Sequence, residues 1–113
     1  ATYTGGGAGS NINIYINGIL DNGTAASSGS YTAMHNLAAD VWIGGWQDEP
    51  TYADGKIKNV GVWSAVLTQA QIQSIMEKTY SELIASEKTN LVSWWGLDTN
   101  ADDEHGDNDG TLT

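Results

Sequence analysis

Residues 11–20 read NINIYINGIL, and this stretch decides the fold class. Ile12, Ile14 and Ile16 alternate with polar side chains, and a period of two is typical of a strand with one covered face. Asn17-Gly18 follows at once, and this dipeptide favours the positive φ values of a two-residue hairpin turn. We therefore predict a β-hairpin whose isoleucines point into the core and whose return strand begins directly after the turn.

Other parts of the chain carry the same signals in weaker form. Residues 25–36 are small and polar, and we predict a loop there with one short strand near 30–33. Between Ile57 and Val60 the apolar positions change parity, which predicts a bulge. The predicted strands outside the hairpin are Ala1–Thr4, Val41–Gly44, Lys56–Trp63 and Leu91–Leu97, with Ile57, Val60 and Val62 as core contacts.

The apolar period changes to that of an amphipathic helix in the second half of the chain. Thr68 and Gln71 have the spacing of a capping box, so the helix is expected to begin there. Residues 81–88 extend this helix or form another turn. We predict a helix over Thr68–Tyr80 whose inward face, with its continuation, comprises Ile72, Ile75, Met76, Thr79, Leu83 and Ile84.

The composition indicates one small domain with an acidic surface. The chain has 113 residues, four Lys or Arg, fourteen Asp or Glu and a formal charge of −10. Such a surface repels phosphate backbones and anionic lipids, so neither nucleic acid nor a membrane is an expected partner. The absence of cysteine excludes disulfides and thiolate metal sites. Because there is no starting methionine or signal peptide, we interpret the chain as a piece of a longer protein.

Four motifs, in order, resemble the laminin-G-like domains of the concanavalin A-like lectin/glucanase family. The resemblance covers residues 1–80 and implies an all-β fold, an antiparallel β-sandwich (jelly roll) with one short amphipathic helix. The motifs are Ile14-Tyr15-Ile16-Asn17-Gly18, Trp42-Ile43-Gly44, Asp54-Gly55-Lys56-Ile57 with Val62-Trp63, and Leu67-Thr68 with Gln71-Ile72.

The end of the chain resembles the opening of the same family. Residues 91–98, LVSWWGLD, and the turn that follows at 103–112 match its first strand and first loop. We interpret 1–113 as a single module, in which 1–80 resembles the C-terminal half of the family and 90–113 its N-terminal strand.

Two arrangements of this last strand are open. It either begins a following repeat or completes this domain beside the strand at 57–63, and we prefer the second because two apolar strands then cover each other. The middle strands of the family are missing from the chain. Open strand edges are therefore expected, and such edges pair with other chains.

Two functions of different classes follow from this resemblance. The first is a non-catalytic structural or adhesion module of a larger extracellular or virion-surface protein, assembling through strand edges with copies of itself, neighbouring repeats or virion proteins. The low arginine content, the Asn, Gly and Thr richness and the Trp-Trp pair resemble virion proteins of marine phages. The second is a lectin-like, carbohydrate-binding module assisted by calcium, with glycans as partners.

Catalysis is a third class to weigh, because glycoside hydrolases share the same sandwich. A retaining hydrolase needs two carboxyl groups about 5–5.5 Å apart. The predicted strands at 11–17, 41–44, 56–63 and 91–97 contain no carboxylate. The two histidines, His35 and His105, lie in predicted loops without the partners of a catalytic triad. We therefore predict that the chain is not an enzyme and has no catalytic residue.

The predicted ligand-binding residues are Trp46, Gln47 and Tyr52 in the loop 45–54. Sugars bind to flat aromatic surfaces that lie beside polar groups, and this loop has both. The alternative is that the two aromatic rings close one end of the sandwich as core. The tryptophans within predicted strands are expected to be core or interface residues.

Two acidic stretches are candidate calcium sites, because Asp, Asn and Glu supply the oxygen ligands that Ca²⁺ prefers. In the second stretch, at 98–109, the glycine and the distal glutamate of an EF-hand loop do not both occur. The alternatives are a solvated acidic loop and, by the resemblance, a structural turn over Asp103–Leu112. The candidate ligands are Asp48, Glu49 and Asp54 in the first stretch and Asp98, Asn100 and Asp102 in the second.

Overall fold

The structure, a computed structural model, describes residues 1–24, 38, 40–46 and 49–112. Within them, one α-helix and eight short strands follow one another along the chain, with single turns of 3-10 helix at Gly9–Asn11 and Tyr80–Glu82. The elements are β1 Thr2–Tyr3, β2 Ile12–Asn13, β3 Tyr15–Ile16, β4 Ile19–Leu20, β5 Gly45–Trp46, β6 Glu49–Tyr52, β7 Val60–Trp63, α1 Gln69–Ile75 and β8 Leu91–Trp95.

The strands pair antiparallel in twos: β1 with β2, β3 with β4, β5 with β6 and β7 with β8. The described residues form mostly strands and one helix, as the sequence predicted. The sheets of the described residues have only two strands each, so two stacked layers of a sandwich are not seen in this part of the chain. An isolated two-stranded pair has little stability of its own, so each pair depends on what packs against it.

The hairpin predicted from NINIYINGIL is present. Asn17 and Gly18 have φ values of 52° and 72°, the left-handed conformation that a two-residue turn requires. Ile16 pairs with Ile19 across this turn, and Tyr15 pairs with Leu20. The local signal therefore placed the turn correctly.

The covered face of this hairpin, however, is the opposite of the predicted one. Ile12, Ile14 and Ile16 are 48%, 49% and 55% exposed, whereas the alternating Asn13 and Tyr15 are half-buried. The prediction that these isoleucines form core contacts is wrong. The period of two is real, but among the described residues nothing buries the apolar face.

Polar side chains explain why the strand is interrupted between β2 and β3. The Asn22 side chain accepts a hydrogen bond from the Ile14 amide at 2.9 Å and donates one to the Asn13 side chain at 2.7 Å. Because a side chain replaces a neighbouring strand at this point, the ladder changes partner here, from β1 to β4.

The core lies in the second half of the chain, between the β7–β8 pair and α1. It contains Ile75, Leu83, Leu91 and Trp94, with Trp63, Leu67 and Tyr80 packed against it. The Trp63 and Trp94 rings meet edge to face, with their centroids 6.0 Å apart. The preferred arrangement, in which the 91–97 stretch lies beside the 57–63 stretch, is therefore confirmed.

A bulge decides which face of β8 is apolar. Val62 pairs with Ser93 but Trp63 pairs with Leu91, so Val92 has no opposite residue. The extra residue changes the parity, which lets Leu91 and Trp94 reach the same core although they are three positions apart. The bulge therefore brings to one face two side chains that simple alternation would place on opposite faces.

The strand β7 is shorter than predicted. Asn59 has a φ of 53°, a conformation that interrupts extended backbone, so pairing begins only at Val60. The predicted core contacts Ile57 and Val62 are 41% and 44% exposed. The expected break in parity therefore exists, and it takes the form of a left-handed residue.

The predicted capping box at Thr68 is confirmed, but the helix ends at Ile75 and is shorter than predicted. The Thr68 hydroxyl accepts from the Gln71 amide, and the Gln71 side chain accepts from the Thr68 amide at 2.8 Å, which completes the capping box. A second capping box at Thr79 begins a separate turn. Leu83 is buried as predicted, whereas Ile84 is 60% exposed, contrary to prediction.

No helix of the described residues has the length and apolar content needed to cross a membrane.

The stretch around Trp46 also differs from prediction. Val41–Gly44 is not a strand, and its Val41 and Trp42 side chains are 80% and 41% exposed. The predicted loop 45–54 instead contains the hairpin of β5 and β6, with Gly45 opposite Tyr52. The loop predicted over 25–36 and its short strand lie outside the described residues.

Candidate functional site

Tyr52 is the predicted ligand-binding residue that the structure describes fully. Its side chain is 67% exposed, and a Cβ added to Gly45 would meet the Tyr52 ring at 3.3 Å. The ring therefore lies against bare backbone and presents its other side to solvent. Gln47 and the Trp46 side chain lie outside the described residues, so the rest of the predicted aromatic platform stays a prediction.

The candidate calcium ligands fall into two places. Asp54 is exposed directly after β6, whereas Asp48 and the Glu49 side chain lie outside the described residues. In the second stretch Asp98 is exposed, and the Asn100 side-chain amide donates to the Asp102 carboxylate. Among the residues that the structure describes, no group of three Asp, Glu or His side chains converges as metal ligands would.

Asp103, which was not among the candidate residues, organises the acidic tail. Asp103 is 8% exposed, and its carboxylate accepts hydrogen bonds from three backbone amides, those of Trp94 at 2.9 Å, His105 at 3.0 Å and Asn108 at 3.3 Å. This is the structural turn that the resemblance implied for 103–112. The sequence gives only a weak signal for it, because Asp103 is one of several acidic residues in a Gly- and Asn-containing stretch that begins after β8.

The charge on Asp103 is stabilised by these contacts. Burial by itself would raise the pKa of Asp103, but the hydrogen bonds from the Trp94 and His105 amides outweigh it and lower the pKa. Asp103 is therefore held as an anion, which is needed because each of its partners is a donor.

The same turn closes one edge of the β7–β8 pair. The Trp94 amide donates to the Asp103 carboxylate, and the Trp94 carbonyl accepts from the Glu104 amide at 2.8 Å. The Asn108 side chain also donates to the Ser93 hydroxyl at 2.8 Å. The outer edge of β8 is thus occupied at Trp94, and an added strand cannot pair there.

A further polar cluster joins α1 to the segment that follows it. The Glu87 carboxylate accepts from Lys78 and Ser74, each at 2.6 Å, and from the Ile84 amide at 3.0 Å. The hydrogen bond from Lys78 is the largest of the causes that lower the pKa of Glu87 to about 2. These bonds position the segment over the core.

His105 takes part in a separate cluster between the acidic turn and Tyr80. The Tyr80 hydroxyl lies 3.1 Å from His105 Nδ1, and the Lys88 ammonium lies 3.8 Å from the centre of the Tyr80 ring. The predicted loop position of His105 is therefore correct, and its ring connects the acidic turn to Tyr80.

One exposed feature of the described residues is apolar. Ile12, Ile14, Ile16 and Ile19 lie on one side of the hairpin, since the first three alternate along the strand and Ile16 pairs with Ile19. Ile19 is the most exposed of them, at 63%. We refer to these four side chains as the isoleucine face.

The hairpin that carries this face is fixed to α1 at its turn. The Gln73 side chain donates to the Gly18 carbonyl at 3.0 Å, and Gly18 is buried. A Cβ added to Gly18 would approach Gln73 Cγ to 2.7 Å and Met76 Sδ to 2.9 Å, so a side chain here would displace both residues from the turn. A shallow cavity lined by Tyr15, Ile72 and Met76 lies beside it.

Comparison with known proteins identifies the family. A laminin-G family model, described as the concanavalin A-like lectin/glucanases superfamily, matches residues 1–73 of the 113. The comparisons with curated proteins and with solved structures gave no match. A match over this share of the chain shows that the chain belongs to that superfamily, whose members include carbohydrate-binding and structural modules.

Proposed function

We propose that this chain, as a member of the concanavalin A-like lectin/glucanase superfamily, is a non-catalytic structural or adhesion module of a larger extracellular or virion-surface protein. It assembles through strand edges, and the strands of its partners complete the β-sandwich that the superfamily implies. The proposal is supported by the two-stranded sheets of the described residues, since pairs of this size need further strands to become stable.

The outer edge of β7 is the proposed place at which a strand of a partner is added. The Trp94 amide and carbonyl both point to the Asp103–Glu104 turn, away from β7, so Trp94 and its partner Gly61 form a non-hydrogen-bonded pair. In such a pair the amide and carbonyl of Gly61 also point outward. They offer a donor and an acceptor to an incoming strand, whereas the opposite edge of the pair is occupied.

A substitution on β7 tests edge assembly. Val62→Lys places a charged side chain on the edge strand, a device that blocks strand addition. Val62 is 44% exposed, so the lysine should be accommodated without loss of the core. In sedimentation velocity we expect association of the 12.0 kDa chain to weaken at least about tenfold, which corresponds to about 1.4 kcal/mol.

Val66→Lys is the matched control, because Val66 is 50% exposed but lies beyond the strand. It should leave association unchanged. Hydrogen exchange gives an independent readout, since the Gly61 amide should become protected as the concentration rises. A chain that stays monomeric at every concentration, or associates equally well with Val62→Lys, contradicts edge assembly.

Carbohydrate binding is the second candidate function, and the exposed Tyr52 ring favours it. Aromatic faces of this kind supply apolar area to a ligand while polar groups beside them set its orientation. We expect Tyr52→Ala to abolish binding on a glycan array and Tyr52→Phe to retain it, because Phe keeps the flat ring. Repeating the array with a calcium chelator tests the role of Asp54. No glycan bound by the unmodified chain, or binding indifferent to Tyr52→Ala, would rule out this site.

A further inference from the structure

We propose that the cavity between the β3–β4 hairpin and α1 is a binding site for a neutral sugar, such as the terminal residue of a glycan. The inference goes beyond strand-edge assembly, because it assigns a small ligand to a surface that no strand edge forms. It also differs from the carbohydrate site at Tyr52, which lies on another hairpin.

The size of the cavity suits one sugar ring. Its volume of about 330 Å³ lies at the lower end of the range for small-molecule sites, about 300–1,000 Å³. The hairpin forms one wall and α1 with its C-terminal end forms the other, and the lining residues are Tyr15, Asn17, Gly18, Ile72, Met76 and Glu77. A space of this size holds a single ring and excludes an extended peptide.

The cavity combines apolar and polar groups in the way that a sugar requires. Ile72, Met76 and the Tyr15 ring supply apolar surface, against which the C–H face of a sugar ring can pack. Tyr15, Asn17 and Glu77 bring a hydroxyl, an amide and a carboxylate to the same cavity, and none of these three groups is hydrogen-bonded to another described residue. Together they donate and accept hydrogen bonds, which matches the hydroxyl groups of a sugar.

Charge selects a neutral sugar over an anionic one. The cavity contains the Glu77 carboxylate, and none of the four lysines of the chain lines it. The formal charge of the chain is −10. A uronic acid or a phosphorylated sugar is therefore repelled with no cation beside it to offset the repulsion. A carboxylate can accept hydrogen bonds from two hydroxyls of a neutral sugar.

The two walls of the cavity are fixed to each other before a ligand binds. The Gln73 side chain donates to the Gly18 carbonyl at 3.0 Å, and the Gly18 backbone lies close to Gln73 and Met76. The neighbouring Asn17 has a φ of 52°, as the turn requires. Because the walls are already ordered, binding does not lose the entropy of ordering them.

NMR titration with the methyl glycosides of glucose, galactose, mannose and N-acetylglucosamine tests the site. We expect at least one of them to shift the signals of the Met76 methyl group and the Asn17 side-chain amide. Asn17→Gly removes the amide and keeps a residue suited to positive φ, so it should weaken this binding about fivefold. Asn59→Gly is the matched control, because Asn59 has a φ of 53° and lies outside the cavity.

Glu77→Gln tests the carboxylate separately. It should weaken the same binding about tenfold, since hydrogen bonds to a charged acceptor are the stronger ones. Glu104→Gln, at an exposed position outside the cavity, should bind like the unmodified chain.

Several outcomes would overturn the inference. They are no shift of the Met76 signal with any of the four glycosides, equal binding by Asn17→Gly and Asn59→Gly, and binding of glucuronic acid or butylammonium in preference to the neutral glycosides. Assembly is read separately, by sedimentation. A chain that binds a glycoside here but stays monomeric upholds the site and contradicts edge assembly, whereas a chain that associates with the Met76 signal unshifted does the reverse.

Discussion

Two regions of this molecule have similar sequence patterns, but the apolar side chains are buried in one and exposed in the other. Residues 1–24 and 60–112 each contain antiparallel strands with apolar side chains at regular spacing. In the second region α1 and the 80–83 turn lie over the sheet, and Trp94 is 3% exposed. In the first region the isoleucines stay about half exposed.

The comparison shows that an alternating sequence places apolar side chains on one face of a strand but does not by itself bury that face. A strand side chain is buried only when a second layer packs over it. In the second region the layer comes from the same chain, because α1 and the 80–83 turn lie over β7 and β8. In the first region the described residues provide no such layer.

The largest effect expected is on stability, and it separates the two regions directly. Trp94→Ala should lower the free energy of unfolding by about 3–5 kcal/mol, because it leaves a large cavity in the core. Ile14→Thr, measured where the chain is monomeric, should change it by no more than about 0.5 kcal/mol. Denaturant unfolding followed by circular dichroism measures both. Equal losses from the two substitutions would contradict the contrast between the regions.

Trp94→Phe sharpens this measurement. No described residue accepts a hydrogen bond from the buried Trp94 indole, so Phe loses volume without losing a bond. It should cost less than Trp94→Ala. A loss as large as that of Ala would indicate a polar role for the indole.

The Asp103 turn is expected to have the next largest effect. Asp103→Asn should lower the free energy of unfolding by about 1–3 kcal/mol, because an amide nitrogen then faces backbone donors that need an acceptor. Asp107→Asn, at an exposed position in the same turn, is the control and should be close to neutral. Chemical denaturation at neutral pH measures both. If the two variants were equally stable, Asp103 would not organise this turn.

The junction between the two regions can be tested at glycine. Gly18 and Gly23 both have positive φ, at 72° and 55°, so alanine at either site should cost about 1–2 kcal/mol of strain. Only Gly18 contacts α1, since a Cβ at Gly23 meets nothing within 4 Å. We therefore expect Gly18→Ala alone to shift the NMR signals of the Gln73 side chain. Similar spectra for both variants would argue against this junction.

The smallest effect expected is a pH dependence that belongs to the second region. The pKa of Glu87 is lowered from 4.5 to about 2, so its contribution to stability is complete above pH 4.5 and is lost as the pH falls towards 2. Thermal unfolding between these values should show this loss in the unmodified chain. The loss should be smaller in Glu87→Gln than in the control Glu77→Gln. An identical pH profile for all three proteins would show that the Lys78–Glu87 pair contributes nothing.

Local signals predicted several parts of the fold correctly. The Asn17-Gly18 turn and the Thr68 capping box depend on a few neighbouring residues, and both are present. The pairing of β7 with β8 was predicted from their apolar content. By contrast, the bulge at Val92 was not predicted, and the bulge predicted between Ile57 and Val60 is instead a left-handed Asn59, because each irregularity depends on how a strand must fit its partner.

The candidate site was predictable to a smaller extent. The exposed aromatic residue Tyr52 was anticipated from its loop-like neighbourhood. The sequence did not predict a role for Asp103, because one carboxylate among many acidic residues has no distinctive spacing. Only the folded turn brings the amides of Trp94 and His105 to it.

The amino-acid sequence alone determined the period of each element, the turn and cap positions and the acidic charge, since these depend on residues close together in the chain. Only the tertiary structure decided which apolar face is covered. Burial requires segments distant in sequence to meet, as β7 meets β8, and the alternation of Ile12, Ile14 and Ile16 contains no information about whether such a partner is present.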